Sequence, residues 1–489
     1  MKLFNYKIAT GIKWTTFVCL LTLIFSTGCR KYLDIPLPVD KVAGASAFVN
    51  DNSTSTVVNG NFSNLVNGVL TGSPVMGENS VGYRTGLYAD ELQSISASDI
   101  LGKAYFGDAL TSLIGNGTQW SGFYKQIYNC NLTIEGINSA KNLKFKNQWL
   151  GETLFTRAFI YFNLVNLYGD VPLALTSDFN KTQTLARAPK SDVYQQIVAD
   201  LKQAQGLLTN DYSDGLGAVT DSRGRPNLQA VNALLARVYL YNNDYVNAAK
   251  ESTKVIVDSR YQLVAPSKAF LAASSEAIWY LVPPTGSWVA EFSLYNGNMP
   301  ASLASPALIL TYGIKSAMMP NLVNAFEPGD TRFTNWVRPT TVAATGTTPA
   351  TVYYFPNKYK SNTPGTENVV VLRLAEQYLI RAEALVQQGD LNGAKADINT
   401  VRTRAGLGGV TATTKDAMLA AIAKERETEL FTEFGHRFFD LKRTGTLDAA
   451  ITAVSALKGS TWNPQRAVWP IPLTDITNDP SLTQNPGYN

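Results

Sequence analysis

Two separate stretches repeat one pattern, and that pattern limits the fold more than any other feature of the chain. "LLARVYLYNNDYVNAAKEST" begins at Leu234 and "LIRAEALVQQGDLNGAKADI" begins at Leu379. Placing Asp244 on Asp390 also places Ala236 on Ala382 and Ala248 on Ala394. Each stretch reads as a helix, a tight turn at the Asp and a second helix, with alanines small enough for the two helices to approach closely. Any antiparallel helix pair can use Ala at its contact. Two copies of the same pair point further, to units that stack side by side over a shared core.

The repeated unit resembles the tetratricopeptide hairpin, and the rest of the chain is compatible with an all-α body. "GETLFTRAFIYFNLVNLYGDVP" (Gly151 to Pro172) carries apolar residues on more than one stripe, which predicts a largely buried helix. Gly169 can cap it and Pro172 cannot continue it. A further helix is expected through Lys415 to Arg443, with Thr413 and Asp416 as a capping box and Gly435 ending or breaking it. Residues 34–75 read as short helices and loops. Between the helical blocks lie long irregular stretches: 101–120, 283–300, and the Thr-rich 338–360, which ends in a strand. Loops of this length in a compact protein are usually functional. The tail holds Pro470, Pro472, Pro480 and Pro486, so it should lie extended on the helical body.

The N-terminus says where the chain works. Lys2, Lys7 and Lys13 precede an uncharged run from Trp14 to Phe25, too short to span a bilayer, which needs about 20 residues. Small residues Ser26, Thr27 and Gly28 follow, then Cys29. This order is that of a secretory signal and resembles a bacterial lipoprotein signal, in which cleavage frees the Cys for acylation. A plain signal peptide with an incidental Cys is the alternative. Several acyl chains on one residue give durable anchoring where one chain gives marginal binding. Of three cysteines, Cys19 leaves with the leader and Cys29 is the anchor, so Cys130 alone remains and no intrachain disulfide is available. The leader also carries the charge excess. Taking its three lysines from the 42 basic residues leaves 39 against 38 acidic ones, a net charge of +1. A nucleic-acid binder would need clustered basic charge.

Five blocks in order then resemble one family: "CRKYLDIPLP", "RAFIYFNLVNLYGDVPL", "VLRLAEQYLIRAEALVQQGD" with "INTVRTRAGL", "KERETELFTEFGHRFFDLKRTG" and "VWPIPLTDITNDPSLTQNPGYN". The chain is identified as resembling the SusD/RagB family of surface lipoproteins over essentially its whole mature length. The resemblance implies an all-α fold of tetratricopeptide-like helix pairs, a SusD-like superhelix, with long irregular loops and minor β-hairpins. It implies a signal peptide over 1–28, an N-terminal region over 29–225 and a C-terminal region over 226–489, the last two forming one intertwined helical body. It implies a cell-surface protein, held in the outer membrane by its lipid, that docks on a SusC-like TonB-dependent transporter. One side of the body faces that barrel, and loops elsewhere capture a glycan, or in some members a peptide. Family members are not enzymes, and no cofactor, metal or nucleic-acid partner is expected. The ligand loops match nothing that carries over residue by residue.

The residues themselves leave a second class open, a secreted glycoside hydrolase. Such an enzyme needs two carboxylates across a sugar bond, and Asp90, Glu91, Glu425 and Glu429 come in close pairs. Glu425, Arg426, Glu429 and Arg437 read instead as a salt-bridge cluster between helices. The one histidine, His436, sits in "EFGHRFF" without a nucleophile loop and reads as a packed or capping residue. Sugar binding calls for flat aromatics exposed on rigid loops with polar neighbours. Trp288, Tyr295 and Trp336 in the central loops, and Tyr83, Arg84 and Tyr105 in the N-terminal ones, are the candidates, of which one or two should touch ligand. Trp120, Trp149 and Trp279 read as core, and Trp469 as an anchor for the tail. Replacing Cys29 by Ala should move the protein from the membrane fraction to the soluble one. Retention of the variant in washed membranes would show the anchor to lie elsewhere.

Overall fold

The computed structural model describes residues 47–66, 75–114, 117–346 and 349–488. The leader, Cys29 and residues 30–46 lie outside them. From Phe48 onward the chain forms one unit, built on a stack of helices in which each packs on the next. In chain order these are α1 (Gly117–Ser139), α2 (Lys146–Tyr168), α3 (Lys190–Leu207), α4 (Leu228–Tyr241), α5 (Tyr245–Ile256), α6 (Leu374–Gln387), α7 (Leu391–Arg404) and α8 (Lys415–Leu430). The two copies of the repeated pattern are α4–α5 and α6–α7. They are neighbours, since α5 packs directly on α6. Residues 257–373 are therefore an excursion that leaves the stack after α5 and returns to it at α6.

The turns of the two pairs share one mechanism. The Asp244 carboxylate accepts the Asn247 N–H at 3.1 Å, and the Asp390 carboxylate accepts the Gly393 N–H at 2.8 Å. Each satisfies a donor left over at the start of the second helix. The residue before each Asp must turn left-handed. It is Asn243 in one copy (φ 59°) and Gly389 in the other (φ 88°), two of the residue types that adopt this conformation most readily. Ala236, Ala382, Ala248 and Ala394 are all fully buried at the helix contacts.

Helix α2 is buried along nearly its whole length, from Trp149 to Tyr168, as its apolar circumference demands. Gly169 follows at φ 74° and the chain enters strand Val171–Pro172. Trp279 meets Phe155 and Phe159 of α2 edge-on, at 4.8 and 5.5 Å between ring centroids. Trp120 and Trp149 are buried as well. Trp469 is fully buried against Tyr105 and Tyr168, and its backbone N–H donates to the Leu167 carbonyl at 2.8 Å. The tail is thus pinned along the end of α2.

Four local readings change. The cap of α8 is Thr414, one residue later than expected: its hydroxyl accepts the Ala417 N–H at 3.3 Å. Helix α8 ends at Leu430, before Gly435. Gly435 (φ 78°) instead opens a further helix, α9 (His436–Arg443). The stretch 101–120 is helical at both ends rather than a loop throughout, because Asp99 caps Ile100–Phe106 and α1 already begins at Gly117. The Thr-rich stretch holds two strands of a three-stranded sheet, Val337–Val342 antiparallel to Thr351–Pro356, with Ser302–Leu303 added in parallel.

The excursion is tied to the stack by buried charge. Glu429 of α8 pairs with Arg332 at 2.8 Å, with Arg373 at 2.5 Å and with Arg404 of α7. Arg373 also reaches Glu276 and Glu433, and Arg332 also reaches Asp330 and Glu425. Lys358 donates to the carbonyls of Glu429 and Phe431, at 2.8 and 2.9 Å. All four residues read from the sequence as a cluster are in ion pairs. Arg426 and Arg437, however, pair with Asp440 and with Asp90 and Glu427, rather than with Glu425 or Glu429. Burial by itself would raise the Glu429 carboxyl, but the charges of Arg404, Arg373 and Arg332 hold it well below the usual range. Removing one member of a buried network strands the others. Glu429→Ala should therefore cost about 3–5 kcal/mol in urea unfolding, whereas Asp244→Ala, which removes one cap, should cost about 1 kcal/mol.

Candidate functional site

The excursion carries the loops, and within it Trp288 is the sequence candidate that reaches solvent. Pro283, Pro284 and Gly286 shape a turn closed by a hydrogen bond from the Ser287 N–H to the Pro284 carbonyl, at 2.8 Å. Trp288 follows it and is 39% exposed. Its indole Nε1 donates to the Ser293 hydroxyl at 3.0 Å, which clamps the ring to the helix Ala290–Tyr295 that comes next.

That short helix is held from below. Phe292, Leu294 and Tyr295 are buried. Glu291 points inward, and its Oε1 accepts the Gly77 N–H at 3.0 Å. Its Oε2 and the Tyr295 hydroxyl are buried without a hydrogen-bond partner among the described residues. Both residues line a small cavity of about 20 Å³ with Lys358, Tyr359, Phe434 and Gly82. Burial pushes the Glu291 carboxyl up to about 7, against the smaller opposing effect of the Gly77 N–H. At the far end of the helix, Asn296 donates to the Asn357 side chain at 2.6 Å and accepts from Arg338. A six-residue helix is about 9 Å long, so an exposed indole stands at one end and a guanidinium–amide group at the other.

The other five candidates are buried. Tyr83, Arg84, Tyr105 and Tyr295 do come together, but underneath the surface. The Arg84 guanidinium lies over the rings of Tyr83 and Tyr105, at 5.4 and 4.9 Å, and donates to Asn79 at 3.2 Å. The rings of Tyr83 and Tyr295 are 6.1 Å apart. Helix Val81–Tyr88, which carries Tyr83 and Arg84, lies so close to the turn after α8 that a Cβ on Gly82 would meet the Thr432 carbonyl at 2.6 Å. Trp336 is fully buried elsewhere. Its Nε1 donates to the Pro266 carbonyl at 2.8 Å, and its ring lies beneath Lys358 and Arg404. It packs against the cations of the ion-pair network rather than presenting a face to solvent. Sequence reading missed Arg338, Asn296 and Asn357. Asn296 sits in the loop "YNGNMP", Asn357 just after a strand and Arg338 inside one, and no local pattern marks them before the strands pair.

The four carboxylates that fall in close pairs in the sequence are committed to partners within the fold. Asp90 pairs with Arg437 at 2.6 Å. Glu91 is buried, accepts the Thr432 N–H at 3.1 Å and is pushed by burial to about 8. Glu425 and Glu429 belong to the ion-pair network. His436 is buried 3.9 Å from Glu376. Burial, then the charges of Arg237 and Arg426, push its imidazole well below its ordinary value.

The SusD family model matches residues 325–488, and a second model, for starch-binding proteins associating with the outer membrane, matches residues 48–240. Two SusD-like proteins of Formosa agariphila are each 25% identical to the chain. One aligns over 76% of this chain and 79% of its own length, the other over 88% and 90%. The starch-binding protein SusD of Bacteroides thetaiotaomicron is 34% identical over 129 residues, 26% of this chain and 22% of its own. Among solved structures, a SusD superfamily protein from Bacteroides vulgatus superposes with a TM-score of 0.73 at 21% identity, covering 90% of this chain and 99% of its own. A laminarin-binding SusD-like protein gives 0.72 at 25%, covering 90% and 100%. Relatives alignable nearly end to end, and family models at both ends of the helical stack, lead to one conclusion: the chain belongs to the SusD/RagB family.

Proposed function

We propose that this protein is a non-enzymatic, lipid-anchored capture subunit at the outer face of the outer membrane. It binds a glycan on the loop face around Trp288 and passes it to a SusC-like TonB-dependent transporter. The observation that carries the glycan-capture step is the indole of Trp288, exposed yet clamped by Ser293 to a helix whose inner face is buried. An apolar sugar face packs on such a ring, and Arg338, held in place by Asn296, and Asn357 supply hydrogen bonds for hydroxyls. The laminarin-binding and starch-binding relatives support this ligand class, and the outer-membrane description of the second family model supports the location. Commitment of Asp90, Glu425 and Glu429 to ion pairs, and of Glu91 to the Thr432 N–H, supports capture over hydrolysis. In calorimetric titration against laminarin, starch and other neutral polysaccharides, Trp288→Ala should weaken the bound glycan at least tenfold, about 1.4 kcal/mol. Unchanged affinity would move the site away from Trp288, and glycan turnover by the wild type would overturn the capture reading.

Glu291 holds the platform helix down while its carboxyl is neutral. An ordinary Glu releases its proton near 4.5, whereas Glu291 keeps its proton up to about 7 in the fold. Between those values the folded chain binds a proton that the unfolded chain has lost, so this contribution to stability falls as pH rises. Glu291→Gln keeps the shape and stays neutral. At pH 8 it should be more stable than wild type by about 1–3 kcal/mol in urea unfolding, and at pH 4 the two should match. Glu91 and Glu427, raised to about 8 and 7, should leave part of the slope in place.

A further inference from the structure

Helix α1 carries Trp120, Tyr124 and Tyr128, spaced four residues apart and so stacked along one face. Their exposure rises along the helix: Trp120 is buried, Tyr124 is half-buried and Tyr128 is 50% exposed. The Trp120 and Tyr124 rings lie 4.8 Å apart. Tyr168 of α2 covers the Trp120 end of this face, edge-on at 5.0 Å between ring centroids. Segment 172–185 and the tail around Asp475 and Asn478 stand across from it, and together they bound a groove of about 550 Å³. Phe179 forms part of its lining and is 69% exposed.

The groove is built of fixed parts. The Tyr124 hydroxyl donates to the Pro172 carbonyl at 2.9 Å. Asn131 donates to the carbonyls of Ala174 and Thr176, at 2.9 and 3.2 Å, and is itself held by Arg157 at 2.8 Å. Glu135 accepts from the Thr176 hydroxyl and the Ser177 N–H, at 2.7 and 2.9 Å. With the rim fixed in this way, little ordering remains to oppose binding. Thr182, Gln183, Thr184 and Asn478 bring hydroxyls and amides, and Asp475 and Asp479 bring carboxylates. Among the described residues, no Lys or Arg lines the groove. The charged groups of the lining itself, Asp475 and Asp479, disfavour an anionic ligand. A neutral ligand with an apolar face and many hydroxyls meets a ring and hydrogen-bonding groups together. The volume lies within the range of about 300–1,000 Å³ usual for small-ligand sites.

We propose that this groove is a second carbohydrate subsite, which takes a short run of a neutral oligosaccharide against Tyr128 and Phe179. The inference rests on the glycan-capture reading for its ligand class, but on none of the residues of the Trp288 face. The test titrates laminarihexaose, maltohexaose and xylohexaose, with an oligogalacturonate as the anionic control, into wild type, Trp288→Ala and the double variant Tyr128→Ala/Phe179→Ala. Both groove residues are exposed, and an unchanged melting temperature would show the double variant to be folded. A neutral hexasaccharide should still bind Trp288→Ala. Its affinity for the double variant should fall at least tenfold, or one of two binding events should vanish, and oligogalacturonate should not compete for the groove. Wild-type affinity and stoichiometry in the double variant would overturn the groove and leave the Trp288 reading standing. Loss of a co-purifying barrel from the double variant with glycan binding unchanged would also overturn it, in favour of a protein contact. Failure of every neutral hexasaccharide to bind wild type would overturn both readings.

Discussion

The Glu429 carboxylate, buried among three guanidinium groups, is the contact on which the rest of the arrangement depends. Arg404 comes from the stack, and Arg332 and Arg373 come from opposite ends of the part of the excursion that returns to it. Each charge costs several kcal/mol to remove from water, and that cost is recovered only when every member is in place. Such a network adds little net stability over an apolar core. It does make alternative placements expensive, since a shifted excursion would leave several charges bare. Trp336, Phe270 and Phe431 surround the charges and keep the local dielectric low, which sharpens this selectivity.

From that anchor the structure divides its work. The stack grows by near-neighbour contacts, as repeat proteins do, and its regularity leaves few irregular surfaces. The excursion is freed from that regularity because α5 and α6 already satisfy one another. It can therefore hold an indole in solvent at the start of a six-residue helix. The same corner gathers buried acids whose ionisation is resisted by burial, namely Glu291 and Glu91. Stability there rises as pH falls, whereas the ion-paired Glu429, Glu433 and Asp440, held low, favour the folded state at higher pH. The platform and its foundation thus respond to pH in opposite senses.

Much of the stack was legible in the chain. The alignment of Asp244 with Asp390 located two turns and four buried alanines, because capping and close helix contact are local requirements met by particular residue types. The burial of Trp149, Trp279 and Trp469 followed from their neighbours in the same way. The aromatic candidates show where legibility stops. Tyr83, Tyr105, Tyr295 and Trp336 sit in segments that read as loops, yet all four are buried. Tyr128 lies inside a long helix yet stands half in solvent. A ring's exposure depends on what folds over it, and for these residues the covering segment lies far away in sequence.

The sequence alone determined the helical pairs, the turns that close them, the family resemblance and the expectation of a lipid anchor, since each is set by short-range pattern. Only the tertiary structure decided that the two pairs touch across the long excursion, that the acidic and basic residues of α8 pair outward rather than with one another, and that one exposed indole survives from six aromatic and cationic candidates. Those outcomes depend on contacts between residues tens to hundreds of positions apart, such as Arg332 with Glu429 and Glu91 with Thr432. Burial and ion pairing are properties of the assembled neighbourhood, and no single stretch of chain contains it.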